Sequence, residues 1–475
     1  MISPVPEFSR TVVIGGGTAG MAAASELAVG DDAVLVLEAT DRLGGTLHVA
    51  AGHLAAAGTA LQRERGIEDG PEQHLEEVVN RTGGQVDVEL LRTVVEDAAD
   101  AVEWLSSAGF APLPDHPVLA GRGPYDTVPR TMWGEGGGLA VLAALRELFE
   151  RAERCGRLRT CTGTRLTSLI RDGSRVSAVE WTRTDGTSGL LRGERFILAT
   201  GGYGGSNAAF RSLSGAAPLA IAPSHADGSG LLAAQRAGAS LRNLDRFIPT
   251  YGGIEDPDCP GRVHPRPFMP ELDPTRRAPW ELHVNVEGRR FVAEDEPNLD
   301  VRRRQLLKQP DLRFWVIYDS RIEHEAPPLF PGVRPERIED AFEVHPAFVR
   351  AASLDELAVR TGLPTEPLAE TLRDYNRAAA SGHDPFGRVH LPSPVGEAPY
   401  RAILNHGSAT KGPGGVVVGS DLRVIDDLGR PFENLWAVGE VLGGTTLSGT
   451  AFVSGMGITP AIVLGRRVGR MLRNE

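Results

Sequence analysis

Apolar positions along the chain gather into short unbroken runs separated by glycine-rich turns. Thr11-Val12-Val13-Ile14 is a β-branched run of the kind a buried parallel strand uses. An alanine-rich stretch, residues 21–28, follows at helical length, and Ala33-Val34-Leu35-Val36-Leu37 makes a second buried run. Strand, helix and strand in this order predict a βαβ unit near the start of the chain. Farther on, Phe314-Trp315-Val316-Ile317-Tyr318 reads as a strand, and residues 353–361 and 366–380 read as helices. The region around them is rich in Pro and charge, as at Asp256-Pro257 and Pro327-Pro328. No apolar run approaches the ~18 residues a membrane span needs, and no internal repeat stands out.

Composition narrows the class without naming a chemistry. A chain of 475 residues has length for two or three domains. With 41% apolar and 24% charged residues it can bury a large core in the manner of a soluble globular protein. The net charge of −12 argues against a nucleic-acid-binding surface. All basic residues except Lys308 and Lys411 are Arg, so stretches such as Arg302-Arg303-Arg304 reflect composition, and the two lysines stand out. Cys155, Cys161 and Cys259 form neither a disulfide framework nor a C-x-x-C pair, and are expected to be small core residues in a reducing compartment. Folded-looking sequence begins near residue 10, which leaves no room for a signal peptide. A soluble, cytoplasmic protein without a bound metal is expected.

The chemistry begins directly after the first strand. Gly15-Gly16-Gly17-Thr18-Ala19-Gly20 is a G-x-G-x-x-G turn between strand and helix, and the second strand ends on Glu38. In such a unit Gly15 permits the tight turn, Gly17 lets backbone N–H groups approach a pyrophosphate, and Gly20 lets helix pack on strand. The phosphates then sit on the positive helix N-terminus, beside Thr18 and Ala19. Glu38 is placed to accept hydrogen bonds from an adenosine ribose. A plain βαβ unit is the competing reading, and the ordered strand, glycines, helix, strand and acid weigh against it. After Glu38 comes Ala39, then Gly44-Gly45-Thr46-Leu47. A glycine pair so soon after the acid suits a second close backbone approach to a dinucleotide, which favours FAD over NAD.

From this point the chain resembles the soluble flavoproteins related to fumarate reductase and succinate dehydrogenase. That group includes 3-ketosteroid dehydrogenases, urocanate reductases and tricarballylate dehydrogenases. Three further segments carry the resemblance. Phe196-Ile197-Leu198-Ala199-Thr200-Gly201-Gly202 is similar to the family's strand followed by A-T-G-G. Val284-Asn285, Gly288-Arg289-Arg290-Phe291-Val292 and Glu294 are similar to the block V-N-x-x-G-x-R-F-v-x-E of its substrate-capping domain. Asn434-Leu435-Trp436-Ala437-Val438-Gly439-Glu440 is similar to the strand whose acid binds the flavin ribityl chain. The segment after it, through Gly455 and Met456 to Gly465-Arg466, resembles the part that lies along the isoalloxazine. The resemblance implies an α/β fold: a Rossmann-like, doubly wound FAD-binding domain with an inserted α+β capping domain. Residues 1–240 and 396–475 would form the flavin domain, with a β-meander around 157–195, and residues 241–395 the cap. The succinate dehydrogenases' covalent His falls on Leu47, with His48 beside it, so the FAD is expected to be non-covalent.

The family's proton-handling and substrate-clamping positions are where this sequence departs. Where the fumarate reductases have a proton-donating Arg and the ketosteroid dehydrogenases a Tyr, this chain has Asn298. Asn neither donates nor accepts a proton readily. The carboxylate-clamping Arg beside the last flavin glycines is replaced by Phe452, and the family's cap His aligns with Thr250 or Tyr251. The His before its T-x-G-G falls on Lys411, and Ser229 stands where the family's G-D-G acid is expected. Two carboxylates need charge-assisted partners, so the two missing arginines argue against a dicarboxylate. Lys411 and Tyr251 become the candidates for holding a carbonyl or carboxylate or moving a proton, against a surface or packing role for each.

The resemblance and its departures imply an FAD-dependent oxidoreductase acting on a carbon–carbon bond next to a carbonyl or carboxylate. The substrate would be a small molecule, weakly charged and cyclic. No C-x-x-C-H haem site is present in the sequence, so electrons would pass to or from a separate donor or acceptor. Neither nucleic acid nor membrane is an expected partner. Two rivals remain open: a flavin-dependent oxidase or monooxygenase, and a flavin-fold protein that binds a ligand without turnover.

Overall fold

The N-terminal run Phe8–Ile14 becomes the central strand of an eight-stranded sheet. The computed structural model describes residues 4–474 apart from 31, 121–125 and 265–267. It divides into two units, one of Met1–Gly215, Ala222–Phe247 and Lys411–Glu475, the other of Ala216–Ile221 and Ile248–Thr410.

In the first unit, Phe8–Ile14 pairs in parallel with Val34–Leu37 on one side and Ser188–Leu198 on the other. Leu158–Cys161 and Pro431–Ala437 extend the sheet in parallel at either side. Both faces are covered, which is why these strands read as unbroken apolar runs: Val12, Val13 and Ile14 are all buried. The helix Thr18–Leu27 packs against the last helix, Ile458–Arg473, where Gly465 and Gly469 remove the side chains that would hold the two apart. The meander consists of Thr164–Asp172, Arg175–Arg183 and Ser188–Leu198, paired antiparallel. Leu158–Cys161, which the sequence groups with it, belongs to the parallel sheet instead. The chain leaves Phe8–Ile14 toward Val34–Leu37 and Leu158–Cys161 on one side and returns as Ser188–Leu198 on the other, so its carboxyl end is a topological switch point, where open α/β sheets bind ligands.

The second unit has its own four-stranded antiparallel sheet, ordered Leu282–Asn285, Arg313–Asp319, Tyr400–His406, Phe348–Ala351. The expected strand and both expected helices form, the latter as Leu354–Thr361 and Thr365–Ser381. Residues 396–410, read from sequence with the flavin domain, fold here because Tyr400–His406 pairs with strands on both of its sides. Conversely Leu241–Arg242, read as the start of the cap, pairs with Gly415–Val416 in the first unit. Among the described residues no helix is long and apolar enough to cross a membrane. Nor does any group of three or more His, Cys, Asp or Glu among them form a metal site. Of the cysteines only Cys161 is buried; Cys155 and Cys259 are exposed, which corrects their reading as core residues.

Candidate cofactor site and its surroundings

At the carboxyl end of the central strand the chain turns on Gly15, at φ 106°. A Cβ there would lie 2.3 Å from the Ala199 carbonyl oxygen, so only glycine fits. Gly20 packs just as closely: its Cβ would lie 1.8 Å from the Gly15 oxygen. The helix Thr18–Leu27 starts from Gly17 with no side-chain cap and no acid in its first turn. Its first N–H groups are therefore available to an anion. Gly45 faces Gly17 backbone to backbone, and a Cβ on Gly45 would lie 3.1 Å from the Gly17 Cα. Of the glycine pair after Glu38, Gly45 thus closes on the Gly15–Gly20 turn itself. Glu38 is buried and anchored, its Oε2 accepting from the Gly16 N–H at 2.7 Å and its Oε1 from the Thr40 N–H at 2.7 Å.

These residues line a cavity of about 250 Å³. Gly15, Gly17, Thr18 and Ala19 form one wall, with Glu38, Ala39, Gly45 and Thr46 beside them. Ala199, Thr200, Gly201, Gly439, Glu440 and Met456 also line it. Four candidates stand behind the lining. Gly20 packs on Gly15, and Gly44 at φ 115° leaves no space for a Cβ beside Leu142. Leu47 is buried, and a Cβ on Gly455 would lie 2.4 Å from the Ala55 backbone nitrogen. His48 Nε2 lies 3.0 Å from the Leu43 carbonyl oxygen. The sequence reading missed Thr164, Arg165 and Leu166, which the meander brings to the cavity; Ile458, Pro460, Ala461 and Leu464 on the last helix, inside the segment expected along the isoalloxazine, line it too. His225 and Ser229 also line it. Asp227, two residues before Ser229, pairs with Arg165 and accepts the Ser229 N–H at 2.9 Å.

Two polar atoms are buried beneath the lining, Glu440 Oε1 against Gly202 and Thr200 Oγ1 against Gly230. Neither has a hydrogen-bond partner among the described residues. Leaving such groups unpaired costs about 1–3 kcal/mol each. Burial pushes the Glu440 carboxyl up, and the nearby Lys411 ammonium opposes the shift. His225 is held below its usual value, first by burial, with Glu38 and Asp227 working against it. An elongated, hydroxyl-bearing dinucleotide matches this arrangement of glycine walls, a free helix N-terminus and two separate carboxylates.

Of the four candidates for catalysis, Lys411 lines the cavity. Its Nζ donates to the Gly444 carbonyl at 3.2 Å and to Ser448 Oγ at 3.3 Å. Phe452 is 50% exposed and is not part of the cavity wall. Asn298 and Tyr251 belong to the second unit. Asn298 caps the helix Leu299–Leu307, its Oδ1 accepting from the Asp300 N–H at 2.9 Å. Tyr251 is buried with its hydroxyl 2.8 Å from His283 Nδ1 and the Arg302 guanidinium over its ring. Burial raises the Tyr251 hydroxyl well above its ordinary value, so it stays protonated.

Comparison with known proteins assigns the dinucleotide. Residues 10–457 match the model of the FAD binding domain family. The chain is 28% identical over 470 residues to a probable fumarate reductase, Ifc3, of Shewanella frigidimarina, covering 98% of this chain and 74% of that one. It is 26% identical to the 4-oxocyclohexanecarboxylate 2-dehydrogenase of Sinomonas cyclohexanicum, covering 98% and 92%. Among solved structures, the 3-ketosteroid Δ1-dehydrogenase of Sterolibacterium denitrificans superimposes with a TM-score of 0.76 at 21% identity, covering 99% of this chain and 100% of that one. At that identity the likeness speaks for the fold.

Proposed function

We propose, from the premise that the chain belongs to the FAD binding domain family and is an FAD-dependent oxidoreductase acting on CH–CH or C=C bonds, that its substrate carries a carbonyl or a single carboxylate beside the reacting bond and is cyclic rather than a dicarboxylate. The observation that carries this reading is the identity of the residues where a dicarboxylate enzyme would place charge. Asn298 has its side-chain oxygen engaged in a helix cap. Phe452 presents an apolar ring, half exposed, where a clamping Arg was sought. A relative of which the chain covers 92% bears a name that describes oxidation of a cyclic keto acid, which supports the same substrate class.

When bound, FAD supplies N5 as donor or acceptor of a hydride. The chain's own residues bind and orient it. Gly15 to Ala19 hold the pyrophosphate on backbone N–H groups, Glu38 accepts from the adenosine ribose, and Glu440 accepts from the ribityl hydroxyls. Leu47 offers no nucleophile for a covalent bond, which supports non-covalent attachment. The electron carrier is a separate molecule. Tyr251 keeps its proton and serves as a hydrogen-bond donor rather than a base.

The test is anaerobic. The flavin is reduced with dithionite, excess reductant is removed, and cyclohex-2-enone or fumarate is added while the flavin absorbance is followed. The enone is expected to return the absorbance and fumarate to leave the flavin reduced. Fast reoxidation by fumarate would overturn the substrate class.

A further inference from the structure

Lys411 is held in a slot built for it. A Cβ on Gly444 would lie 2.6 Å from Lys411 Cδ and 2.9 Å from Cε, so the lysine stem occupies the space that any side chain at 444 would take. Its ammonium is fixed by the Gly444 carbonyl and Ser448 Oγ, both on the segment that follows Glu440. The cavity lining carries two carboxylates, Glu38, which accepts from the Gly16 N–H of the turn, and Glu440, and Lys411 accompanies the second. The other cation in the lining, Arg165, is paired with Asp227.

A dinucleotide whose ADP half lay on the Gly15–Gly20 turn would share this cavity with Glu440 and Lys411, which line it too. Two-electron reduction by a hydride adds one negative charge to the isoalloxazine ring system, and reoxidation removes it. A buried carboxylate beside the ring opposes the added charge, whereas a fixed cation favours it. Opposite charges within about 4–6 Å shift ionisation by 1–3 pH units in proteins. We infer that Lys411 is the charge partner of the reduced flavin: held by Gly444 and Ser448, it offsets Glu440 and stabilises the anionic reduced form, and so sets the flavin potential. This inference rests on the FAD reading but not on the identity of the substrate. Lys411 is thereby a determinant of which electron carriers and alkenes the flavin can serve.

The experiment uses FAD-loaded wild type, Lys411→Met, Lys411→Gln and Lys411→Arg without substrate. Midpoint potentials are read by equilibration with a redox dye, and sulfite affinity by loss of flavin absorbance. In Lys411→Met the ratio of reduced to oxidised flavin at a fixed potential should fall about tenfold, which is about 30 mV for a two-electron couple. Sulfite, an anion that adds to the flavin, should bind about tenfold more weakly. Lys411→Arg should retain both properties within about twofold, the signature of charge rather than shape. Lys411→Gln keeps a donor for Gly444 and Ser448, so it carries the comparison if the methionine variant fails to hold FAD. An unchanged potential and sulfite affinity in either neutral variant, at full FAD content, overturns the assignment. Wild-type protein that holds no FAD would remove the cofactor reading beneath it.

Discussion

Glu294 is the side chain whose replacement gives the sharpest quantitative test of the second unit. It is fully buried, and four donors converge on it. Arg290 gives Nε at 2.9 Å and Nη2 at 2.7 Å, Arg388 approaches with Nη1 at 3.1 Å, and the His283 backbone N–H lies at 3.1 Å. Arg290 is shared with Asp384 at 2.6 Å and lies over the rings of Tyr375 and Phe386. Burial alone would raise the Glu294 carboxyl, but Arg388 and Arg290 outweigh it and bring it down to about 2. Against an ordinary value of 4.5, at 1.36 kcal/mol per unit, ionised Glu294 contributes about 3 kcal/mol. The cost of breaking a buried ion pair by removing one partner, about 3–5 kcal/mol, is of the same size. Glu294→Gln should therefore lose about 3 kcal/mol at pH 7. The assay is urea unfolding followed by tryptophan fluorescence, to which Trp280 and Trp315 contribute from this unit. Because the folded value is depressed, this stabilisation is complete above the ordinary value of 4.5 and is lost as the pH falls toward 2. Wild type and variant should converge over that interval, since both then carry a neutral side chain. A gap under about 1 kcal/mol at pH 7, where about 3 is expected, would refute the account, as would a gap that persists unchanged at low pH.

Three other substitutions separate packing from chemistry. Gly465→Ala gains about 1 kcal/mol of helix propensity, but its Cβ would lie 2.4 Å from the Ala19 carbonyl oxygen, which is backbone and cannot turn away. Overpacking of about 1–3 kcal/mol should win, and since Ala461 and Leu464 line the cavity, FAD titrated into apoprotein should bind more weakly; equal affinity would show that the two helices can part at no cost. Asn298→Ala should lower unfolding stability by about 1 kcal/mol through the lost cap, with Asn298→Asp restoring it in the same urea titration; no loss in the alanine variant would release Asn298 for a chemical role. Tyr251→Phe leaves the imidazole of His283, which burial holds at about 4 and whose Nε2 has no partner among the described residues, without a side-chain bond. A loss of about 1–3 kcal/mol is expected, measurable by thermal unfolding, and an unchanged midpoint would mean the Tyr251–His283 bond contributes nothing.

What could be read in the sequence followed from how local its cause is. The φ of 106° at Gly15, the uncapped helix start at Gly17 and the strand end at Glu38 belong to one βαβ unit, so their spacing alone locates them, and all three line the cavity. Thr164 to Leu166 reach the same cavity where the Thr164 N–H donates to the Glu38 carbonyl at 2.8 Å, far back along the chain, and nothing in their local pattern marks them. Gly44 and Gly455 show the opposite error: a glycine demanded by close packing behind a wall looks, in sequence, like a glycine that forms the wall. The block from Val284 to Glu294 carries the family resemblance in the cap, yet its physical content is structural. Asn285 Oδ1 accepts the Glu287 and Arg289 N–H groups at 3.0 and 2.9 Å and closes the turn, and Arg290 and Glu294 neutralise one another in the core. A motif of that kind identifies the fold without reporting on the reaction. The positions on which the proposed substrate class rests, Lys411, Phe452 and Asn298, lie outside it. Their meaning depends on charge: a lysine fixed beside Glu440 acts on whatever ring system lies there, whichever substrate the cap admits.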